Sequence, residues 1–111
     1  MIIDSHIHLH LDSATDDPDI GGKIIRDAMR CGIGACIASH VIAEPSCGGG
    51  AYPSSRHLRE ANSYAAEQAR RNPGRLYFLV YLNPQNPDWE QELERGVGNA
   101  AVGVKLWISL K

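Results

Sequence analysis

Apolar and polar residues alternate from Met1 to Leu9, with Ile3 and Ile7 on one side and Asp4, His6 and His8 on the other, the two-residue period of a β-strand. An acidic, proline-containing stretch follows, and Asp19 stands where a helix N-cap is expected. From there Ile20, Ile24, Ala28 and Cys31 fall at helical spacing, with Gly32 placed to end the helix. Gly21 and Gly22 weaken its first turn, so that end is expected to fray. Ile33 to His40 reads as a short buried strand. Val41 to Ser55 reads as a long loop carrying Pro45, Gly48-Gly49-Gly50 and Pro53, either a lid or substrate-contacting segment or a plain floppy insertion.

Ser54 or Ser55 can cap a helix running to about Asn72, its stripe of Leu58, Ala61, Ala65 and Ala69 facing inward and Arg59, Glu60, Glu67, Arg70 and Arg71 facing water. Pro73-Gly74 ends it. Leu76 to Leu82 is a near-continuous apolar run, as in a parallel strand covered on both faces. Asn86-Pro87 suggests an N-cap with proline at N1, Asp88, Glu90 and Glu92 suit the following helix dipole, and Trp89, Leu93 and Val97 give an inward stripe. Ala101 to Ile108 reads as a fourth strand. Strands alternating with helices imply right-handed crossovers and a parallel sheet. No boundary divides the 111 residues, which are expected to form one domain.

Composition changes this picture little. A hydrophobic content of 43% is that of an ordinary globular chain, and a net charge of -2 argues against a dedicated nucleic-acid binder. No apolar stretch is long enough to span a bilayer, and the first residues lack a signal peptide's basic start, so a cytoplasmic setting is the default expectation. Cys31, Cys36 and Cys47 are odd in number and follow no zinc-knuckle spacing. Cys31 and Cys36 are expected to be small buried hydrophobes, and no disulfide framework is foreseen.

The chemistry concentrates at two places. Residues i and i+2 of a strand share a face, roughly 6.5–7 Å apart. His6 and His8 therefore project together and can converge on one divalent ion, with Asp4 on the same side as an orienting acceptor. The carboxyl ends of parallel strands are where such folds carry their sites. Lys105, within Val102 to Trp107, is the second. If Val104 and Leu106 face helices, Lys105 and Trp107 face the interior, where the amine can hold a substrate carboxylate or oxyanion or form a metal-bridging carbamate. It can equally lay its stem along apolar surface and reach water at the rim. His40 ends the second strand and is a further candidate for substrate contact. His10 continues the register of the pair but falls into the loop, and His57 reads as a solvated first-turn residue. Gly48-Gly49-Gly50 lacks the lysine and spacing of a phosphate loop.

The opening Met-Ile-Ile-Asp-Ser-His-Ile-His-Leu resembles the first strand of the amidohydrolase superfamily. It is most similar to the branch of aminocarboxymuconate semialdehyde decarboxylase-like, "amidohydrolase 2" metal-dependent hydrolases. Arg71-Asn72-Pro73-Gly74-Arg75, the strand to Asn83-Pro84, and Gly103-Val104-Lys105-Leu106 extend the likeness over most of the chain. The resemblance implies a (β/α)8 barrel in which His6 and His8 bind a metal, commonly zinc, while further ligands and the acid/base groups come from later strands. A complete barrel takes about 250 residues, so the expectation is the N-terminal half of a TIM barrel: four parallel strands alternating with three helices. Hydrolysis of a C–N or C–O bond, or decarboxylation of a carboxylated small molecule, is the implied chemistry. The missing strands would be supplied by a C-terminal half or by a homo-oligomer, and a non-catalytic half-barrel serving assembly is the rival reading. A phosphoesterase of the polymerase-and-histidinol-phosphatase type also opens with His-x-His, and Gly-x-Lys-Leu leans away from it.

Overall fold

The computed structural model describes residues 1–9, 17–40 and 54–106. Their order is β1 (Ile2–His8), α1 (Ile20–Arg30), β2 (Ile33–Ser39), α2 (Ser55–Arg71), β3 (Leu76–Leu82), α3 (Trp89–Gly98) and β4 (Gly103–Leu106). All neighbouring strands are parallel and the sheet runs β1-β2-β3-β4, in chain order. The result is a curled half-barrel, four parallel strands alternating with three helices, as in half of a TIM barrel. The expected long loop, His10, Cys47 and Trp107 lie outside the described residues.

Register separates the two faces. Cys36 and Ala38 pair with Leu76 and Phe78, and these four join Leu9, Ile25 and Ala65 in one buried cluster under the helices. Leu58, Ala61 and Ala65 deliver the expected stripe of α2 to this layer, all nearly inaccessible. On β3 the alternate residues Tyr77, Leu79 and Tyr81 therefore face the concave side, with Gly103 and Lys105 of β4 beside Leu79 and Tyr81. Val104 and Leu106 take the outer face, where no helix of the described residues covers them, and both stay exposed.

Several local expectations give way to closer packing. Gly21 is buried instead of frayed: its N–H donates to Gln68 Oε1 at 2.9 Å, and a Cβ there would lie 2.9 Å from Leu76 Cδ2. Asp19 holds the N-cap position without a side-chain cap bond, whereas the Ser54 hydroxyl does accept from the His57 N–H. Helix α3 starts after Asp88, two residues later than Asn86-Pro87 suggested, because the Asn83 side chain ties the Gln85 N–H into a turn at 3.0 Å. Its buried residues are Glu92 and Gly96, whereas Trp89 and Val97 are exposed. The cause is Gly96, whose missing side chain lets the helix backbone onto Val80; a Cβ would sit 2.7 Å from Val80 Cβ. That approach turns the face one residue back from Trp89 and Val97. Cys31 is exposed while Cys36 is buried, so only the second behaves as a core residue.

Helix α3 ends in a Schellman arrangement. The Ala101 N–H donates to Gly96 O at 2.9 Å and the Ala100 N–H to Val97 O at 3.0 Å, which places Ala100 at the left-handed position with φ 68°. An L-residue there is strained by its Cβ, and glycine is the usual occupant. Ala100→Gly is expected to raise stability by about 0.5–1 kcal/mol, the steric relief less the extra unfolded-chain entropy. Urea denaturation checks this, with a higher midpoint at unchanged slope expected; an unchanged or lower midpoint would contradict it.

Candidate functional site

The concave face gathers three of the sequence-predicted residues at its carboxyl rim. His6 and His8 stand together, ring centroids 5.3 Å apart and planes tilted by 55°. The Lys105 Nζ lies 3.3 Å from His6 Nε2. β1 and β4 are the two outer strands of the sheet. In a flat sheet, three strand spacings would hold their side chains about 14 Å apart, and side chains stand roughly perpendicular to it. The contact exists because the sheet curls. Both histidines remain exposed and Lys105 is half-buried.

β1 reaches this arrangement through an irregularity. Asp4 pairs with Cys36 and Ile7 with Ala38, so β1 spends one residue more than β2 over this step, as in a β-bulge. The bulge breaks simple alternation. Asp4 therefore stands opposite Cys36, a core residue, out of line with His6 and His8. Its carboxylate accepts the His6 backbone N–H at 3.0 Å. Asp4 thus holds the strand at the bulge, where the sequence suggested a contact to an imidazole. Beyond the bulge His8 pairs with the buried Ser39.

His40 is not part of the cluster. It is 2% exposed and its ring packs against Tyr64 of α2 at 4.5 Å, so it belongs to the helix side instead of the open rim. His57 is half-buried in the first turn of α2, its Nδ1 2.6 Å from the Ser54 hydroxyl.

Electrostatics favour a neutral imidazole at His8, whose pKa is lowered first by loss of solvent and then by the nearby Lys105 and His6. Burial pushes the Cys36 thiol up, which keeps it protonated. An imidazole nitrogen at the usual zinc distance puts its ring centre about 3.2 Å from the ion, so two rings at a tetrahedral angle stand about 5.2 Å apart. The observed spacing of the pair agrees with this. Two imidazoles supply two donors, and among the described residues no group of three or more His, Cys, Asp or Glu side chains is placed to hold a metal ion.

Sequence reasoning missed a buried polar group beneath the rim. Asn62 and Glu92, both on inner helix faces, meet under Tyr81. The available signals were an asparagine next to the apolar stripe of α2 and a glutamate four residues before Gly96.

No protein-family model, curated protein or solved structure matches the chain. Among the described residues no helix is long and apolar enough to cross a membrane. The fold class is thus a parallel α/β half-barrel, and its chemistry rests on the rim geometry alone.

Tyr81 provides a pH test of the rim. It is 1% exposed, and burial raises its phenol pKa to about 12. The unfolded chain ionises first, near the ordinary tyrosine value of about 10. Stability from the neutral phenol is therefore present below that value and lost as pH rises from there toward 12. A loss on the order of 2 kcal/mol is expected over this range, and Tyr81→Phe should flatten the alkaline limb in denaturation midpoints measured against pH. An alkaline limb identical in Tyr81→Phe would assign the loss elsewhere.

Proposed function

We propose that His6 and His8 are two ligands of a divalent metal, zinc, and that the half-barrel carries part of a metal-dependent hydrolase or decarboxylase site of the amidohydrolase type. The observation that carries this reading is the convergence of both rings and the Lys105 amine on one patch of the concave face. The ring spacing suits a shared ion, and the lowered His8 pKa favours the neutral form that a metal requires. When bound, the metal supplies Lewis acidity to a water or a substrate oxygen. Lys105 is the group to hold the anionic end of a small carboxylated substrate, and Asp4 keeps the bulge that aims His6. The remaining coordination positions require donors from outside the described residues, from water or from a partner chain.

The purified chain is expected to bind zinc or cobalt(II). The double variant His6→Ala/His8→Ala should lose affinity beyond the roughly 10–100-fold typical of changes behind the ligands. Metal content by elemental analysis checks it, and equal content in the two proteins removes the pair as ligands.

A second reading, a non-catalytic assembly module, has its own observation. Both outer strands expose large apolar side chains, Ile2 and Ile3 on β1 and Val104 and Leu106 on β4. Among the described residues β1 and β4 are each paired on one side only, and edges of this kind recruit further strands. Sedimentation velocity over a dilution series should then show reversible association; a monomer at every concentration counts against it.

A further inference from the structure

β2 stops pairing with β3 after Ala38–Phe78, whereas β3 continues beside β4 to Leu82–Leu106. The polar groups of β3 alternate in direction. Arg75 O accepts the Cys36 N–H at 2.8 Å on the β2 side, and Phe78 O accepts the Val102 N–H at 3.0 Å on the β4 side. Tyr81, odd like Arg75, therefore turns its N–H and C=O to the side that β2 has left. Asn62 of α2 fills the gap. Its Nδ2 donates to Tyr81 O at 2.9 Å and its Oδ1 accepts the Tyr81 N–H at 2.7 Å. The second Nδ2 hydrogen goes to Glu92 Oε1 at 2.9 Å, and Arg95 grips that carboxylate at 2.7 and 2.9 Å.

We propose that Asn62, fixed by Glu92, is a positioning residue for the rim cluster: it replaces β2 as the partner of Tyr81 and so sets where Lys105 meets His6. Tyr81 and Lys105 are register partners on the concave face. Side chains so paired on neighbouring strands lie side by side on one face of the sheet. The Tyr81 ring is buried, so a shift of its backbone moves the wall beside the lysine stem. Asn62 touches neither histidine and acts only through β3. The proposal rests on the metal-site reading for one of its two readouts and is independent of it for the other.

The test uses the full chain with Asn62→Ala, Glu92→Gln, the reference Lys105→Met, and Gln68→Ala as a control that removes another buried α2 amide, the one holding Gly21 and Pro18. The first readout is the ¹⁵N resonance of His6 Nε2, the second the affinity for cobalt(II) added alone. Asn62→Ala should move the resonance toward its Lys105→Met position and shift the cobalt(II) affinity in the same direction as Lys105→Met, upward, because the ammonium 3.3 Å from His6 Nε2 opposes a cation there. Glu92→Gln should move both part of the way. Gln68→Ala should lower the melting temperature and move neither. An Asn62→Ala protein destabilised like Gln68→Ala with its His6 resonance in place overturns the proposal, as does a resonance that Lys105→Met leaves unmoved. Should Asn62→Ala not fold, Glu92→Gln decides on the same resonance. Absence of cobalt(II) binding in the unaltered chain sinks the metal reading, while the resonance still decides the positioning role.

Discussion

The backbone of Tyr81 is the constraint on which the upper half of the sheet depends. A buried N–H and C=O left without partners would cost several kcal/mol together, and β2 departs before it can satisfy them. Asn62 meets both, at the expense of placing an amide in the interior. That amide needs its own partner, which Glu92 supplies, and the buried carboxylate needs Arg95. Each polar group is satisfied by the next until the chain of bonds reaches the exposed hydroxyl of Ser63 and the Arg59 carbonyl. A polar interior of this kind tolerates little slack, because removing one member strands another. It also explains why α3 approaches so closely: Glu92 reaches Asn62 only because Gly96 lets the helix settle on Val80.

Curvature brings sequence-predicted residues of the two outer strands together. The sheet is in chain order, so its first and last strands are its edges, and a flat version would keep His6 and Lys105 far apart. Helices packed on one face leave the other concave, and the residues of alternate parity, His6, His8, Tyr81 and Lys105, line the hollow. The bulge in β1 is a second device with the same outcome. It releases Asp4 from the histidine register and uses its carboxylate to pin the His6 amide, while Lys105 meets the imidazole itself.

Most of the fold was legible because it follows from periodicity. The two-residue alternation of Met1 to Leu9, the apolar run of Leu76 to Leu82, and the stripe through Leu58, Ala61 and Ala65 each map onto the element they suggested. The pairing of His6 with His8 and the inward direction of Lys105 followed from the same parity. What was hidden lies where tertiary contact overrides local pattern. Trp89, Leu93 and Val97 make an apolar stripe, but the close approach of Gly96 to Val80 selects the face bearing Glu92. Asp4 was misaligned because a bulge leaves no signature in a short alternating run. His40 sits at a strand end, yet packs on Tyr64, a contact between residues distant in sequence.

The two readings of the molecule converge on one physical quantity, the wetness of the hollow. Both histidines of the concave face are exposed to solvent, although Tyr81 on the same face is buried. In that state the charge on Lys105 is screened, and an ion held there is bound weakly. Yet loss of solvent is already the first cause of the lowered His8 pKa, ahead of its charged neighbours. Closing the cylinder, whether by further strands or by a second molecule on the exposed edges, would withdraw more water and act in the same direction. It would hold His8 neutral more firmly and make an anion held by Lys105 worth more. On the proposed readings, edge pairing and site chemistry would be coupled, because closing the edges would change the electrostatics of the histidine pair.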